Sequence, residues 1–142
     1  MVTIDKRKSI DLLVEQFWKQ GYLTLSRKFG TYLPEPSRVG KFDVDIVARH
    51  KKSYAIGIAL TDEDFRNPRL IEKISYLASR HTKFSQKRVL LFVGVPELRY
   101  KTAKDLIDMI EPAAKKNIKL FPIVDRTVQH GRNTARKDFF FS

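Results

Sequence analysis

The chain has 142 residues, enough to bury one hydrophobic core, and its 42% hydrophobic and 31% charged residues are the balance of a soluble globular protein. It contains no cysteine, which excludes disulfides and thiolate metal sites, and no apolar run nears the roughly 20 residues of a membrane span. Twenty-eight Lys and Arg against sixteen Asp and Glu give a formal charge of +12, which draws polyanions, with DNA or RNA the commonest of them. No apolar stretch follows the basic residues of MVTIDKRKSIDLL, so a cytoplasmic location is expected rather than secretion.

Residues 5–20 read as a helix, because Ile10, Leu13, Val14 and Phe17 recur at i, i+3, i+4 and i+7. Asp5 or Ser9 can cap its start and Gly21 ends it; Asp11 and Glu15 share a second face. Residues 22–28 alternate as a strand, with Leu23 and Leu25 expected to face inward. The stretch Gly30–Gly40, with two Pro and two Gly, is a loop. Strands at Phe42–Ala48 and Tyr54–Leu60 flank the basic turn RHKKS and make an antiparallel hairpin. Asn67 and Pro68 start a second helix whose apolar face is Leu70, Ile71, Ile74, Leu77 and Ala78. Val89–Val95 is the continuous apolar run of a central strand. A third helix over 98–116 is bent or restarted at Pro112, and Pro122 puts the last strand, Ile118–Val124, at a sheet edge.

The order α-β-β-β-α-β-α-β predicts an α/β fold, with a mixed central sheet of about five strands flanked by helices. Residues 1–125 make the α/β domain, and residues 126–142 form a basic tail ending in Phe139, Phe140 and Phe141. Three consecutive exposed Phe would favour a partner surface, so a homodimer through this tail is expected. No membrane partner is expected.

The chemistry concentrates in KFDVDIVARHKKSYAIGIAL, residues 41–60. Strand alternation puts Lys41, Asp43 and Asp45 on one face and Phe42, Val44 and Ile46 on the other. Two carboxylates on one face need a cation, and Mg²⁺ or Mn²⁺ with its hard oxygen ligands suits them.

This segment resembles the core of PD-(D/E)XK nucleases, the restriction-endonuclease-like and Holliday-junction-resolvase-like members above all. Asp11 lies ten residues before Gly21-Tyr22, where the family has its helix acid, and Asp43-Val44-Asp45-Ile46-Val47-Ala48 matches the acid–apolar–Asp step. The resemblance implies Asp45, Asp43 and Asp11 as metal ligands and catalytic carboxylates. The chain departs from the family where strand three should carry Glu-x-Lys: those positions are Gly57 and Ala59. Lys41, on the face of Asp45, is a substitute cation; Glu15, and Glu72 with Lys73 on the next helix, are further candidates.

Three readings follow. The first is a nucleic-acid-binding protein with a degenerate nuclease site, its phosphates held near Asp45 by Lys41, Lys51, Lys52, Arg49, Lys73 and Arg80. The second is an active Mg- or Mn-dependent endonuclease with relocated groups. The third is a non-catalytic, oligomerising protein. Beside all of them stands an ordinary account: Asp43 and Asp45 pair with Lys41 and Arg49 on a solvated face, and Gly57 and Ala59 let a helix approach the sheet.

Overall fold

The computed structural model describes residues 5–82 and 86–124, so the 126–142 tail with Phe139–Phe141 lies outside the described residues. Helix α1 (Lys6–Lys19) starts where the Asp5 carboxylate accepts from the Lys8 N–H. It stops at Gly21, whose φ of 89° is the left-handed conformation that glycine tolerates best. Strands β1 (Leu23–Arg27), β2 (Ile46–His50) and β3 (Ser53–Ala59) pair antiparallel in sequence. Two short helices, α2 (Asp62–Phe65) and α3 (Leu70–Ala78), lead to β4 (Leu90–Pro96), which joins β3 in parallel. A 3₁₀ turn (Glu97–Arg99), α4 (Tyr100–Asp108) and α5 (Pro112–Lys115) lead to β5 (Ile118–Ile123), parallel to β4. The chain is therefore an α/β protein whose five-stranded mixed sheet runs β1-β2-β3-β4-β5. Among the described residues no helix is long and apolar enough to cross a membrane.

Each face of the sheet buries its own apolar cluster. On one, Ile10, Leu13 and Phe17 of α1 pack on Ile46, Ala48, Ala55, Ala59 and Phe92. On the other, Leu70, Ile74 and Leu77 of α3 and Ala103 and Ile107 of α4 pack on Ile56, Ile58, Leu91, Val93 and Val95. β4 is covered on both sides, which explains its unbroken apolar run. The α1 face of β2 and β3 carries small residues, and they let the helix settle close to the strands. Gly57 is the tightest point: a Cβ there would sit 2.6 Å from Phe17 Cε2 and 3.1 Å from Ile46 Cβ. Phe17 has no room to yield, since its ring is fully buried and stacked on Phe92, with centroids 4.1 Å apart.

Several expectations need correction. Leu23 and Leu25 do not face inward; they are 66% and 41% exposed. Tyr22 sets the inward phase instead, its ring edge-on to Phe17 and Phe92 beneath α1. β2 starts at Ile46, not Phe42, because the chain bends at Asp45. Strict alternation is lost there: Val44 enters the α3-side cluster while Ile46 enters the α1-side one. The 98–116 helix restarts at Pro112 as expected, at a first turn where a missing N–H costs nothing, but its first part begins only at Tyr100, after the 3₁₀ turn, and stops at Asp108. The second helix starts at Leu70 rather than Pro68: Arg69 takes the cap position, and the Asn67 side chain accepts from the Arg69 N–H at 2.9 Å in the turn before it. The β2–β3 hairpin and the outer position of β5 agree with the sequence.

Gly57→Ala is expected to destabilise the fold by about 1–3 kcal/mol, the cost of overpacking a filled core. Adding Phe17→Leu should recover part of that loss. Urea unfolding of the three variants checks this, and a neutral Gly57→Ala would show the contact to be soft.

Candidate functional site

Asp45 sits where β2 and β3 stop pairing. The last ladder pair is Ile46 with Gly57, and beyond it the Asp45 N–H still reaches the Gly57 carbonyl at 2.9 Å. The carboxylate then takes over from the backbone: its Oδ2 accepts the Ala59 N–H at 2.8 Å. The residue is only 3% exposed, so its charge needs compensation. Lys6, the first residue of α1, supplies it, with Nζ 3.0 Å from Asp45 Oδ2 and donating to the Ala59 carbonyl at 2.6 Å. Lys28, just past β1, brings a second ammonium 3.7 Å from Oδ1. The Lys6 ammonium thus bridges a buried carboxylate and a carbonyl oxygen, the kind of oxygen pair that a bound metal cation would otherwise link.

A third lysine closes in from α3. Lys73 is half-buried, and that burial holds its pKa below the ordinary lysine value despite the attraction of Asp45 and Asp64. Lys6 repels it as well. Asp64 is fixed in the α2 capping box, its Oδ2 accepting from the Thr61 N–H at 2.7 Å. Two ammonium groups, from α1 and from just past β1, therefore converge on one buried carboxylate at the carboxyl end of β3, with Lys73 of α3 within its electrostatic reach.

The expected metal cradle is not assembled. Asp11 turns to Arg27 of β1, and Asp43 pairs with Arg38 at 2.9 Å, a hydrogen bond that lowers its pKa. Lys41 leaves Asp45 altogether for Glu72, at 3.1 Å, because it lies not on a strand but in the tight Gly40–Lys41 turn closed by the Val39 and Phe42 backbones. Glu72 also receives the fork of Arg69, and the two cations hold its pKa down to about 2. Glu15 is exposed on α1 and brings no third carboxylate. Among the described residues no three His, Asp or Glu side chains form a group that could hold a metal. The position of the missing strand acid, Gly57, is filled by Phe17, so the residues present do not fit Mg²⁺ or Mn²⁺.

The expected phosphate-binding residues divide between two places. Lys73 lies beside Asp45, but Arg49, Lys51 and Lys52 occupy the other end of the hairpin. At about 3.3 Å per residue that is roughly 20 Å from Asp45. Arg80 follows α3 toward that same far end, where its carbonyl accepts the Val89 N–H just ahead of β4. Its guanidinium stacks on Tyr76 at 3.8 Å. Among the described residues, Arg49, Lys51, Lys52 and Arg80 make no ion pair, so the far end is a second, exposed basic surface. Lys6 and Lys28 are the site residues that sequence reasoning missed. Both meet Asp45 across long chain separations, and only the excess of lysine hinted at them. No protein-family model, no curated protein and no solved structure matches the chain.

Because burial disfavours the Lys73 ammonium, Lys73→Met should raise the melting temperature at pH 7. The folded state binds fewer protons than the unfolded chain between the lowered pKa and about 10.5, so wild-type stability rises with pH across that window. The gain from Lys73→Met should therefore shrink as pH approaches that value. Thermal unfolding of both proteins from pH 7 to 10.5 checks the sign; a loss of stability at pH 7 would contradict it.

Proposed function

We propose that this protein binds nucleic acid by its phosphates at the Asp45 end of the sheet, on a fold of the PD-(D/E)XK nuclease kind, and does not cleave it. One observation carries this reading: Asp45 is neutralised by Lys6 and Lys28 of the chain itself. Hydrolysis assisted by a metal requires carboxylates free to hold the ion and a water placed by it. Here the surrounding groups are cations, and Gly57 and Ala59 offer no acid and no second base. What they favour is an anion. Lys73 supports the same reading, since a half-buried lysine facing the same carboxylate adds a further cation to the site. The net charge of +12 brings polyanions to the surface at long range.

Fluorescence anisotropy of labelled oligonucleotides across a salt series, with gel assays in Mg²⁺, Mn²⁺ or EDTA, tests this. Affinity should fall steeply with salt and no probe should be cut. Lys28→Gln should reduce the slope of log K against log salt by about 0.7–0.9, one phosphate contact. Divalent-dependent cleavage lost in Asp45→Asn would overturn the reading. If instead Lys51→Gln and Lys52→Gln reduce the slope and Lys28→Gln does not, the phosphates lie at the far end of the hairpin.

A further inference from the structure

We propose a second element of this surface, resting on the phosphate-binding role above: a groove that takes an unstacked nucleobase, so that the preferred ligand is single-stranded nucleic acid. The groove has a volume of about 390 Å³ and lies between the start of α1 and the loop after β1. Its lining includes Arg7, Asp11, Arg27, Phe29, Tyr32 and Leu33. The volume is within the range of small-ligand sites.

The lining is unusual for a surface loop. Tyr32 is 95% exposed, and Phe29 and Leu33 beside it are exposed as well. Phe29 has a φ of 59°, the left-handed region that bulky side chains rarely adopt, and such strain is retained most often at binding sites. Its ring lies under the Arg7 guanidinium, 5.5 Å from carbon to centroid. Arg27 is held by Asp11 and by its own bond from Nε to the Lys28 carbonyl at 3.2 Å. Aromatic faces with guanidinium groups beside them stack bases of any identity and balance the adjoining phosphates.

The chain order links this groove to the Asp45 site. Lys6 and Arg7 are consecutive on α1, and Arg27 and Lys28 are consecutive at the end of β1. In each pair, the lysine reaches Asp45 and the arginine lines the groove. A phosphate on the lysines and a base in the groove would thus be held by neighbouring residues of the same two segments. Paired bases hide their faces in the duplex stack, so the groove selects unpaired strands.

The test is anisotropy at one salt concentration with three probes: a single strand, an abasic strand of the same length and a blunt duplex. The wild-type chain should bind the base-bearing strand at least about ten-fold more tightly than the abasic strand, as expected for stacking. Tyr32→Ala, at a position too exposed to affect folding, should erase that preference and leave duplex affinity unchanged. A preference that survives Tyr32→Ala, or none in the wild-type chain, overturns the groove. Comparable binding of all three probes would then leave the phosphate site standing. Binding of none would overturn both.

Discussion

The arrangement depends on one buried carboxylate at the point where two strands part. Once β2 and β3 diverge, the Ala59 N–H needs an acceptor, and the Asp45 side chain provides it. That places a negative charge under α1, and the structure answers with Lys6 from the helix start and Lys28 from the end of β1. Three elements far apart in sequence are thereby tied to one point. Removing the cation from such a pair generally costs about 3–5 kcal/mol, because the remaining charge stays buried. Here Lys28 and the partial exposure of Lys6 moderate that figure.

The same constraint separates this chain from a metal-dependent site. A divalent ion would need the oxygens that Lys6 bridges, and it would need further carboxylates nearby. Those carboxylates are engaged elsewhere: Asp11 with Arg27, Asp43 with Arg38 and Glu72 with Lys41 and Arg69. Phe17 against Gly57 leaves no volume in which an acid could be restored. Close packing of α1 and the closed carboxylate site are therefore linked features. Both follow from small residues on β3 where the nuclease pattern has large polar ones.

Much of the architecture was legible because it is written in local periodicity. The α1 stripe, the short hairpin turn and the apolar run of β4 each signal themselves within a few residues. Asp45 was also legible as a central acid, and Gly57 and Ala59 as small residues that let a helix approach the sheet. Its neighbours were not. Alternation assigned Lys41 to Asp45 on the assumption of a straight strand, but the Gly40–Lys41 turn takes Lys41 out of the strand and toward Glu72. Lys6 stands 39 positions before Asp45 in a basic run that has no periodic signature. The groove did leave a trace, in the two aromatic residues that follow Arg27 and Lys28 in RKFGTY, residues 27–32. That run reads as an ordinary strand end and loop until the fold brings Arg7 beside it.

The central claim is that Lys6 acts as the built-in cation of Asp45. A double-mutant cycle in urea unfolding, with Lys6→Met, Asp45→Asn and the pair together, measures this coupling directly. The account predicts that Lys6→Met is far more costly in the wild-type background than in the Asp45→Asn background, by about 2 kcal/mol. Costs that add to within about 0.5 kcal/mol would show two independent residues. Lys6 would then not be the cation on which the buried Asp45 carboxylate depends, contradicting the account.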